Sequence, residues 1–236
     1  MRGEAEIHGH STPHASPLTP HSPVGLLGGT FDPIHFGHLR LAEEMADALG
    51  LAQVRFLPAG TPPHRNAPRM PAAHRVEMTR RAIAGNPRFV LDTRDAERDG
   101  PCYTVDTLTS LRRELGDPCP LVLLLGTDAF LGLTTWHRWK ELFDLAHLAV
   151  AHRPGFPAES WEDALAGPLL REFQARRTDD NAVLAGSPAG RVLVRPMTAL
   201  DIAATTIRRH IAGGDSVRYL TPDAVIDYIR FHGLYR

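Results

Sequence analysis

Short apolar runs alternate with amphipathic helical patterns along most of this 236-residue chain, and this alternation restricts the fold more than any other feature. Apolar runs that predict strands occur at residues 24–27, 54–59, 88–93, 120–125, 148–152 and 191–195. Helical patterns cover residues 36–49, 72–84, 104–115, 203–214 and 221–232. Strands that alternate with helices predict an α/β fold, a doubly wound and mainly parallel sheet with helices on both faces.

Local signals refine this prediction. Thr104 and Thr221 are the expected N-caps of their helices, and Pro222 then stands at a first helical position. The run at 120–125 is the most apolar, which predicts a strand in the middle of the sheet. Ligands of such sheets bind beyond the carboxyl ends of the strands, so we expect the site in the loops that follow them.

The composition limits the domain organisation and the partners. Residues 1–23 are rich in Pro, Ser, Thr and His without periodicity, which predicts a disordered extension before one domain at 24–236. Residues 154–190 are interpreted as a helical insertion in that domain. Lys and Arg (26) nearly balance Asp and Glu (27), which argues against nucleic-acid and membrane-surface partners. The sequence leaves the oligomeric state open, a homo-oligomer included.

The cysteines and the apolar runs indicate the compartment. Cys102 and Cys119 show no CxxC spacing, so we expect neither a disulfide framework nor a zinc site. The longest apolar runs fall far short of the ~20 residues that span a membrane. Both observations favour a protein of the reducing cytoplasm.

The strongest signal for function is the string GGTFDPIHFGH at residues 28–38, where the first strand meets the first helix. Gly28 and Gly29 allow a sharp turn and a close approach to a ligand, and free amides at a helix start bind anions. His35 and His38 share one face where the backbone is helical, and Gly37 leaves space above that face. Two imidazoles at a helix N-terminus suit a polyphosphate.

Other interpretations of these residues are weaker. A Walker A loop requires Lys-Ser/Thr after its glycines, and a dinucleotide fingerprint requires G-x-G-x-x-G; the segment has neither. A metal pair stays possible, but no third His or carboxylate has a suggestive spacing, so no metal site of the protein is predicted. A single histidine here would be a cap or a surface residue, and the whole pattern favours a functional role.

The 28–38 string resembles the signature of the HxGH nucleotidyltransferases, a superfamily with a Rossmann-like fold. The string DIAATTIR at 201–208 is similar to a second element of that superfamily, I-S-x-T-x-I-R, although Ala203 stands where Ser is usual. The resemblance implies that Arg208 neutralises phosphate charge. It also implies ATP contacts at Gly28, Gly29, Thr30, Phe31, His35, His38, Ile202 and Thr205.

Further stretches resemble the nicotinate-nucleotide adenylyltransferases in particular. They are PPHR at 62–65, Tyr103-Thr104 at a helix start, GTD at 126–128 with a tryptophan after it, and HRPG at 152–155. The resemblance implies that Gly126 and Asp128 contact ATP. It implies that the acceptor is bound by His64, Arg65, Thr104, Trp136 and Arg153, with an ATP phosphate as the alternative partner of Arg153. A flat apolar ring at Trp136 suits a pyridinium, and backbone amides suit its carboxylate.

The implied reaction joins ATP and nicotinate mononucleotide into nicotinate adenine dinucleotide and pyrophosphate, a step of NAD biosynthesis. His35, His38 and Arg208 are the implied catalytic residues, and Mg²⁺ would bind mainly through ATP. The acceptor phosphate is already anionic at neutral pH, so no general base is required. Sister enzymes that use nicotinamide mononucleotide, phosphopantetheine or FMN stay open as alternatives, as does a nucleotide-binding regulator without turnover.

Overall fold

Six strands form one parallel sheet in the computed structural model, which describes residues 21–60, 67–152 and 163–236. The strands are β1 (Val24–Gly29), β2 (Gln53–Pro58), β3 (Phe89–Leu91), β4 (Leu121–Gly126), β5 (His147–His152) and β6 (Val192–Pro196). Their order is β3-β2-β1-β4-β5-β6, and every neighbouring pair is parallel. This is a doubly wound Rossmann-like sheet with β4 in its middle, so the predicted fold class is confirmed.

Helices cover both faces of the sheet. They are α1 (Phe36–Leu49), α2 (Ala72–Ile83), α3 (Thr104–Leu115), α4 (Thr127–Leu131), α5 (Leu142–Leu145), α6 (Gly167–Arg176), α7 (Val183–Gly186), α8 (Ala204–Gly213) and α9 (Asp223–His232). Alternate residues of β4 enter two separate cores: Leu121 and Leu123 pack with α3, α5 and α6, while Val122 and Leu124 pack with α1, α2 and α9. That alternation is what a strand covered on both faces requires.

Two predicted helix caps are wrong by one residue. The amides of Asp106 and Thr107 donate to the carbonyl of Tyr103, so Tyr103 is the N-cap of α3 and Thr104 is its first helical residue. In the same way Val225 and Ile226 donate to Pro222, which is the N-cap of α9. Thr221 instead donates its hydroxyl to the carbonyl of Ile34, at 2.8 Å. This buried threonine therefore ties the start of α9 to the loop after β1.

The sheet opens between β1 and β4, where the strand order reverses. Their paired residues run only from Val24 with Leu121 to Leu26 with Leu123, so the strands diverge toward their carboxyl ends. A side chain added at Gly28 or at Gly126 would meet no atom within 4 Å. The crevice at this switch point is therefore the place where the fold can admit a ligand.

The segment between β5 and β6 packs into the body of the protein. From α6, Leu169 and Phe173 join the core on one face of the sheet, and Leu184 of α7 joins the core on the other. The part of the predicted insertion at 154–162 lies outside the described residues, and so do residues 1–20 of the predicted extension. Among the helices that the structure describes, none is long and apolar enough to cross a membrane.

Candidate active site

The loop after β1 turns at Phe31 and not at the glycines before it. Gly28 and Gly29 are the last residues of the strand, whereas Phe31 has a φ of 49°, in the left-handed region. The Phe31 ring is buried against Gly29, where an added Cβ would lie 2.6 Å from it. The predicted sharp turn is therefore present, but the glycine pair does not make it. Gly29 leaves room for an aromatic anchor beneath the loop.

The two histidines of the 28–38 segment are brought together at the start of α1. His35 is the N-cap residue, and its ring stacks on that of His38 with the ring centres 3.7 Å apart. Nδ1 of His38 accepts the backbone N–H of His35 at 3.3 Å. An imidazole that accepts at Nδ1 carries its proton on Nε2, so His38 presents an N–H donor on the other side of its ring.

Gly37 allows the 201–208 segment to pack closely against the 28–38 segment. An added Cβ at Gly37 would lie 3.0 Å from Nδ1 of His35 and 3.7 Å from the carbonyl oxygen of Ile202. The space expected above the histidine face is thus occupied by the His35 ring and by the backbone that leads into α8. The N-termini of α1 and α8 therefore lie side by side here, and the N-cap side chain of α8 binds none of that helix's first amides, which can bind an anion.

Arg208 lies against the 28–38 loop across 176 residues of sequence. Its Nη1 donates to the carbonyl oxygen of Asp32 at 2.6 Å and lies 3.9 Å from Oδ2 of the same residue. A quarter of the Arg208 side chain is exposed, so part of the guanidinium faces the open side. The structure therefore places two histidines and an arginine around the N-terminus of α1, a donor set suited to phosphate oxygens.

Arg75 was not predicted from the sequence and fixes the same loop from below. Its guanidinium is almost fully buried and donates to three carbonyl oxygens, of Thr30 at 2.7 Å, Gly60 at 3.0 Å and Met70 at 3.1 Å. Burial lowers the pKa of this guanidinium, and the charge of Asp32 opposes that shift. Arg75 thus joins the ends of β1 and β2.

The sequence contains one signal for the burial of Arg75. This cation stands three and four residues before the buried Met78 and Thr79, so it lies on the buried face of α2.

The N-terminus of α8 has no side-chain cap. Ala203 is its N-cap residue and makes no capping hydrogen bond, while Thr205 is exposed beside it. A serine at this position would satisfy one of the first amides of the helix. The amides that the resemblance assigns to phosphate binding are therefore left open by the side chain of Ala203.

We expect Ala203→Ser to raise the free energy of unfolding by about 1 kcal/mol, because an N-cap hydroxyl then accepts an amide of α8. Urea unfolding of both proteins without nucleotide measures the difference. The matched control is Ala203→Gly, which supplies no acceptor atom. An unchanged urea midpoint in the serine variant would show that these amides are already satisfied in the free protein.

On the other side of the crevice, a contact between the residues adjacent to them in sequence brings Trp136 and Thr104 close together. The ring of His137 contacts the ring of Tyr103, the N-cap of α3, with the ring centres 4.4 Å apart. Tyr103 and Trp136 both pack partly buried against the same core. This brings the aromatic loop after α4 close to the start of α3, where helix amides and an aromatic face can together bind a flat ring that carries a carboxylate.

Asp95 supports the start of α3 and was not predicted. Its Oδ1 accepts the hydroxyl of Thr107 at 2.6 Å, and its carbonyl oxygen would lie 2.4 Å from a Cβ added at Gly60. Burial raises the pKa of this carboxyl group. The close approach at Gly60 therefore joins the loop after β2 to the segment that leads into α3.

Of the remaining predicted site residues, two lie at the start of α4 and three lie outside the described residues. Gly126 ends β4 and is the N-cap of α4, and Asp128 is exposed in the first turn of that helix. The hydroxyl of Thr127 donates to the carbonyl of Ala151 at 3.2 Å, which holds this turn to the end of β5. His64, Arg65 and Arg153, three predicted acceptor residues, lie outside the described residues.

In the part of the chain that the structure describes, no group of three or more His, Cys, Asp or Glu side chains could hold a metal ion. The carboxylate nearest to the two histidines in sequence, Asp32, accepts the hydroxyl of Tyr235 at 2.6 Å and the amide of Arg69 at 2.6 Å. The donors around the α1 N-terminus are N–H groups, which suit anions and not cations.

Comparison with known proteins agrees with this architecture. The cytidylyltransferase-like family model matches residues 26–210. A probable nicotinate-nucleotide adenylyltransferase of Dechloromonas aromatica is 56% identical over 214 residues, which cover 91% of this chain and 98% of that protein. One of Acidithiobacillus ferrooxidans is 48% identical over 216 residues, with 92% and 97% covered.

Solved structures share the fold at much lower identity. Plasmodium falciparum nicotinic acid mononucleotide adenylyltransferase complexed with NaAD aligns with a TM-score of 0.64 and 17% identity, over 91% of this chain and 98% of that chain. The fold is therefore shared across a wide sequence distance.

Proposed function

The chain belongs to the cytidylyltransferase-like family and, within it, to the nicotinate-nucleotide adenylyltransferases, and we propose that its active site is the crevice between the 28–38 segment and the N-terminus of α8. It is a nucleotidyltransferase that transfers the adenylyl group of ATP to nicotinate mononucleotide in NAD biosynthesis. We assign ATP to the side of His38 and Arg208, and nicotinate mononucleotide to the side of Trp136.

One observation carries the assignment of the ATP site. Elements more than 160 residues apart in sequence meet where His35, His38 and Arg208 lie close to the start of α8, whose N-cap side chain binds none of its amides. All of these groups donate hydrogen bonds, and a triphosphate only accepts them at neutral pH. The open face of Gly28 leaves the loop backbone accessible, so Thr30 and the amides of residues 29–31 can face the α-phosphate.

In the chemical step, one P–O bond at the α-phosphorus forms and another breaks. An anionic oxygen of the acceptor phosphate attacks the α-phosphorus of ATP, the bond from that phosphorus to the bridging β-oxygen breaks, and pyrophosphate leaves with the electron pair. No proton has to be removed from the acceptor. The protein therefore contributes orientation of the two phosphates and stabilisation of the charge that builds on the departing group.

His38 is suited to that stabilisation because its proton position is fixed. Its Nδ1 already accepts the His35 amide, which keeps the ring in the tautomer that donates from Nε2. The stacked His35 ring and the buried Phe31 ring, whose centre lies 5.0 Å from that of His38, restrict its rotation. A donor that is oriented before the reaction needs no reorganisation as charge develops.

We infer that Mg²⁺ accompanies the nucleotide. When bound, the ion neutralises phosphate charge and supports departure of pyrophosphate. The site fits this arrangement because its described carboxylate, Asp32, is already hydrogen-bonded to Tyr235 and Arg69. The phosphates and water would supply the ligands of the ion, and Arg208 would share the remaining charge.

The acceptor side rests on Trp136, the first turn of α3 and three residues outside the described part of the chain. We propose that the pyridinium ring lies on Trp136 and that its carboxylate meets amides near Thr104. His64, Arg65 and Arg153 complete this proposal as donors to the acceptor phosphate. The contact of His137 with Tyr103 supports it, because it keeps the aromatic loop beside the α3 amides.

We expect Trp136→Ala to raise KM for nicotinate mononucleotide about 10-fold, because stacking and cation–π attraction to the ring are lost. KM for ATP should change little, since ATP lies on the opposite side of the crevice. Steady-state kinetics with each substrate varied in turn measures both constants. Trp136→Phe should recover much of the affinity.

Trp139→Ala is the matched control for this change, because its ring packs on Phe143, with the ring centres 6.1 Å apart, and not on the first turn of α3. Its KM for the acceptor should stay near the wild-type value. If Trp136→Ala raises only the KM for ATP, the acceptor has been assigned to the wrong side of the crevice.

The choice of acceptor is tested by a direct comparison. The purified full-length protein is given ATP and Mg²⁺ with nicotinate mononucleotide, nicotinamide mononucleotide, phosphopantetheine or FMN, and pyrophosphate is measured. We expect the highest kcat/KM for nicotinate mononucleotide. Faster release with another acceptor would reassign the substrate, and ATP binding without release in any mixture would favour a nucleotide-binding regulator.

We further propose that residues 24–236 form one nucleotidyltransferase domain and that the protein acts in the cytoplasm. Leu184 and Leu193 pack in the same core as α1 and α2, which supports one folding unit. Cys102 and Cys119 are both free thiols, as a reducing compartment favours.

A further inference from the structure

Asp32 lies in the 28–38 segment and contacts both α8 and the C-terminal residues. It is 4% exposed, and both of its carboxylate oxygens are engaged. Oδ1 accepts the hydroxyl of Tyr235 at 2.6 Å, and Oδ2 accepts the backbone N–H of Arg69 at 2.6 Å. Its carbonyl oxygen accepts Nη1 of Arg208. One buried residue thus connects the catalytic loop, α8 and the C-terminal segment.

Tyr235 reaches Asp32 because of the way the chain ends. Gly233 stops α9 with a φ of 61°, and Tyr235 itself has a φ of 65°. The chain turns at these two left-handed residues, and Leu234 and Tyr235 are both buried in the core that α1 also joins. A non-glycine residue in this conformation is unusual and is held only when its surroundings favour it.

The hydroxyl of Tyr235 limits how Asp32 can interact with Arg208. Nη1 of Arg208 lies 3.9 Å from Oδ2, too far for a hydrogen bond, while it donates to the Asp32 carbonyl at 2.6 Å. The donors at Oδ1 and Oδ2 hold the carboxylate in an orientation in which it makes no hydrogen bond to the guanidinium. Among the residues that the structure describes, the carbonyl of Asp32 is the one hydrogen-bond acceptor of Arg208, so its other N–H groups stay available for a ligand.

We propose that Tyr235 is a positioning residue, which engages Asp32 and so keeps the Arg208 guanidinium directed at the departing pyrophosphate. This inference rests on the proposed function, in which Arg208 contacts the ATP phosphates. Without the Tyr235 hydroxyl, Oδ1 of Asp32 lacks its donor, and the carboxylate turns toward the nearest free N–H groups, those of Arg208. The guanidinium then pairs with Asp32 and moves away from the substrate.

The test is Tyr235→Phe in the full-length protein, with kcat and both KM values measured at a temperature below the unfolding midpoint of every variant. We expect kcat to fall about 10-fold, because a displaced donor stabilises the transition state less. KM for nicotinate mononucleotide should not change. The matched control is Tyr228→Phe, which removes a tyrosine hydroxyl from the same helical region, where it bonds to Nδ1 of His74 at 2.9 Å. Its kcat should equal that of the wild type.

Arg208→Ala separates a positioning role from a structural one. If Tyr235 acts through Arg208, then Tyr235→Phe should change kcat by less than about twofold in the Arg208→Ala background. An equal loss in both backgrounds overturns the inference, and so does a wild-type kcat in Tyr235→Phe alone. If Arg208→Ala itself keeps wild-type turnover, the proposed role of Arg208 fails, which is a different outcome from failure of the Tyr235 inference.

Discussion

Replacing His38 by alanine should lower kcat about 10²–10³-fold while the protein stays folded, because one preorganised donor to the leaving group is lost. The geometry gives the reason for so large an effect. Nδ1 of His38 accepts the His35 amide, so the ring donates from Nε2, and we propose that this donor meets the charge that develops on the leaving group. Water that enters the vacated space is not oriented in advance and replaces this donor poorly.

The measurement is steady-state release of pyrophosphate, together with thermal unfolding to verify the fold. His38→Gln retains an N–H donor near the position of Nε2 and should recover part of the loss. His232→Ala is the matched control, because that exposed ring contacts His74 and Tyr228 and not the loop. Turnover of His38→Ala within a few-fold of wild type would contradict the assigned role.

Replacing Arg208 by alanine should also lower kcat about 10²–10³-fold, since a charged donor to the transferring phosphates is removed. The change has a second consequence, because Asp32 is buried and Arg208 is one of the cations nearest to it. Some loss of stability should therefore accompany the loss of turnover. Arg208→Lys keeps the charge without the fork of donors, and we expect it to fall between alanine and wild type.

The neighbouring arginine supplies the control for this prediction. Arg209 lies on the exposed side of the same helix, and Arg209→Ala should leave kcat and the ATP KM unchanged. Kinetics with ATP varied, alongside thermal unfolding, separates the two effects of Arg208→Ala. An unfolding midpoint that falls while kcat is preserved would make Arg208 a structural residue only.

Much of the fold could be predicted because its signals are local. Each strand is an apolar run, and each long helix repeats its apolar residues at helical spacing, so elements and their order follow from neighbouring residues. The caps at Thr104 and Thr221 were each misplaced by one residue. Both threonines lie next to residues with extended backbone, and the true caps, Tyr103 and Pro222, have no side chain that signals the role.

The centre of the candidate site could be predicted for a different reason. Residues 28–38 and 201–208 carry recognisable strings, and the structure brings them into contact at Gly37 and Arg208. What supports them was not predictable, because it joins residues that are distant in sequence. The bond from Tyr235 to Asp32 spans 203 positions, and that from Thr221 to Ile34 spans 187. No periodicity in a sequence encodes such a pair.

The role of the glycines shows the limit of inference from residue type. A glycine pair ordinarily indicates a turn with positive φ, yet here the left-handed residue is Phe31, and Gly29 accommodates its ring. The prediction of a ligand-binding loop from this string stays a prediction, whereas the predicted internal geometry of the loop is wrong. Packing beneath the loop decided the conformation, and that packing is visible only in three dimensions.

Transfer of an adenylyl group from ATP at the crevice between β1 and β4 is tested most directly by the fate of each phosphate. The protein is incubated with nicotinate mononucleotide, Mg²⁺ and ATP labelled at either the α- or the γ-phosphorus. We predict that the α-label appears in nicotinate adenine dinucleotide and the γ-label in pyrophosphate, and that His38→Ala slows both together. Transfer of the γ-label to the acceptor, or no transfer from either position, would contradict the claim.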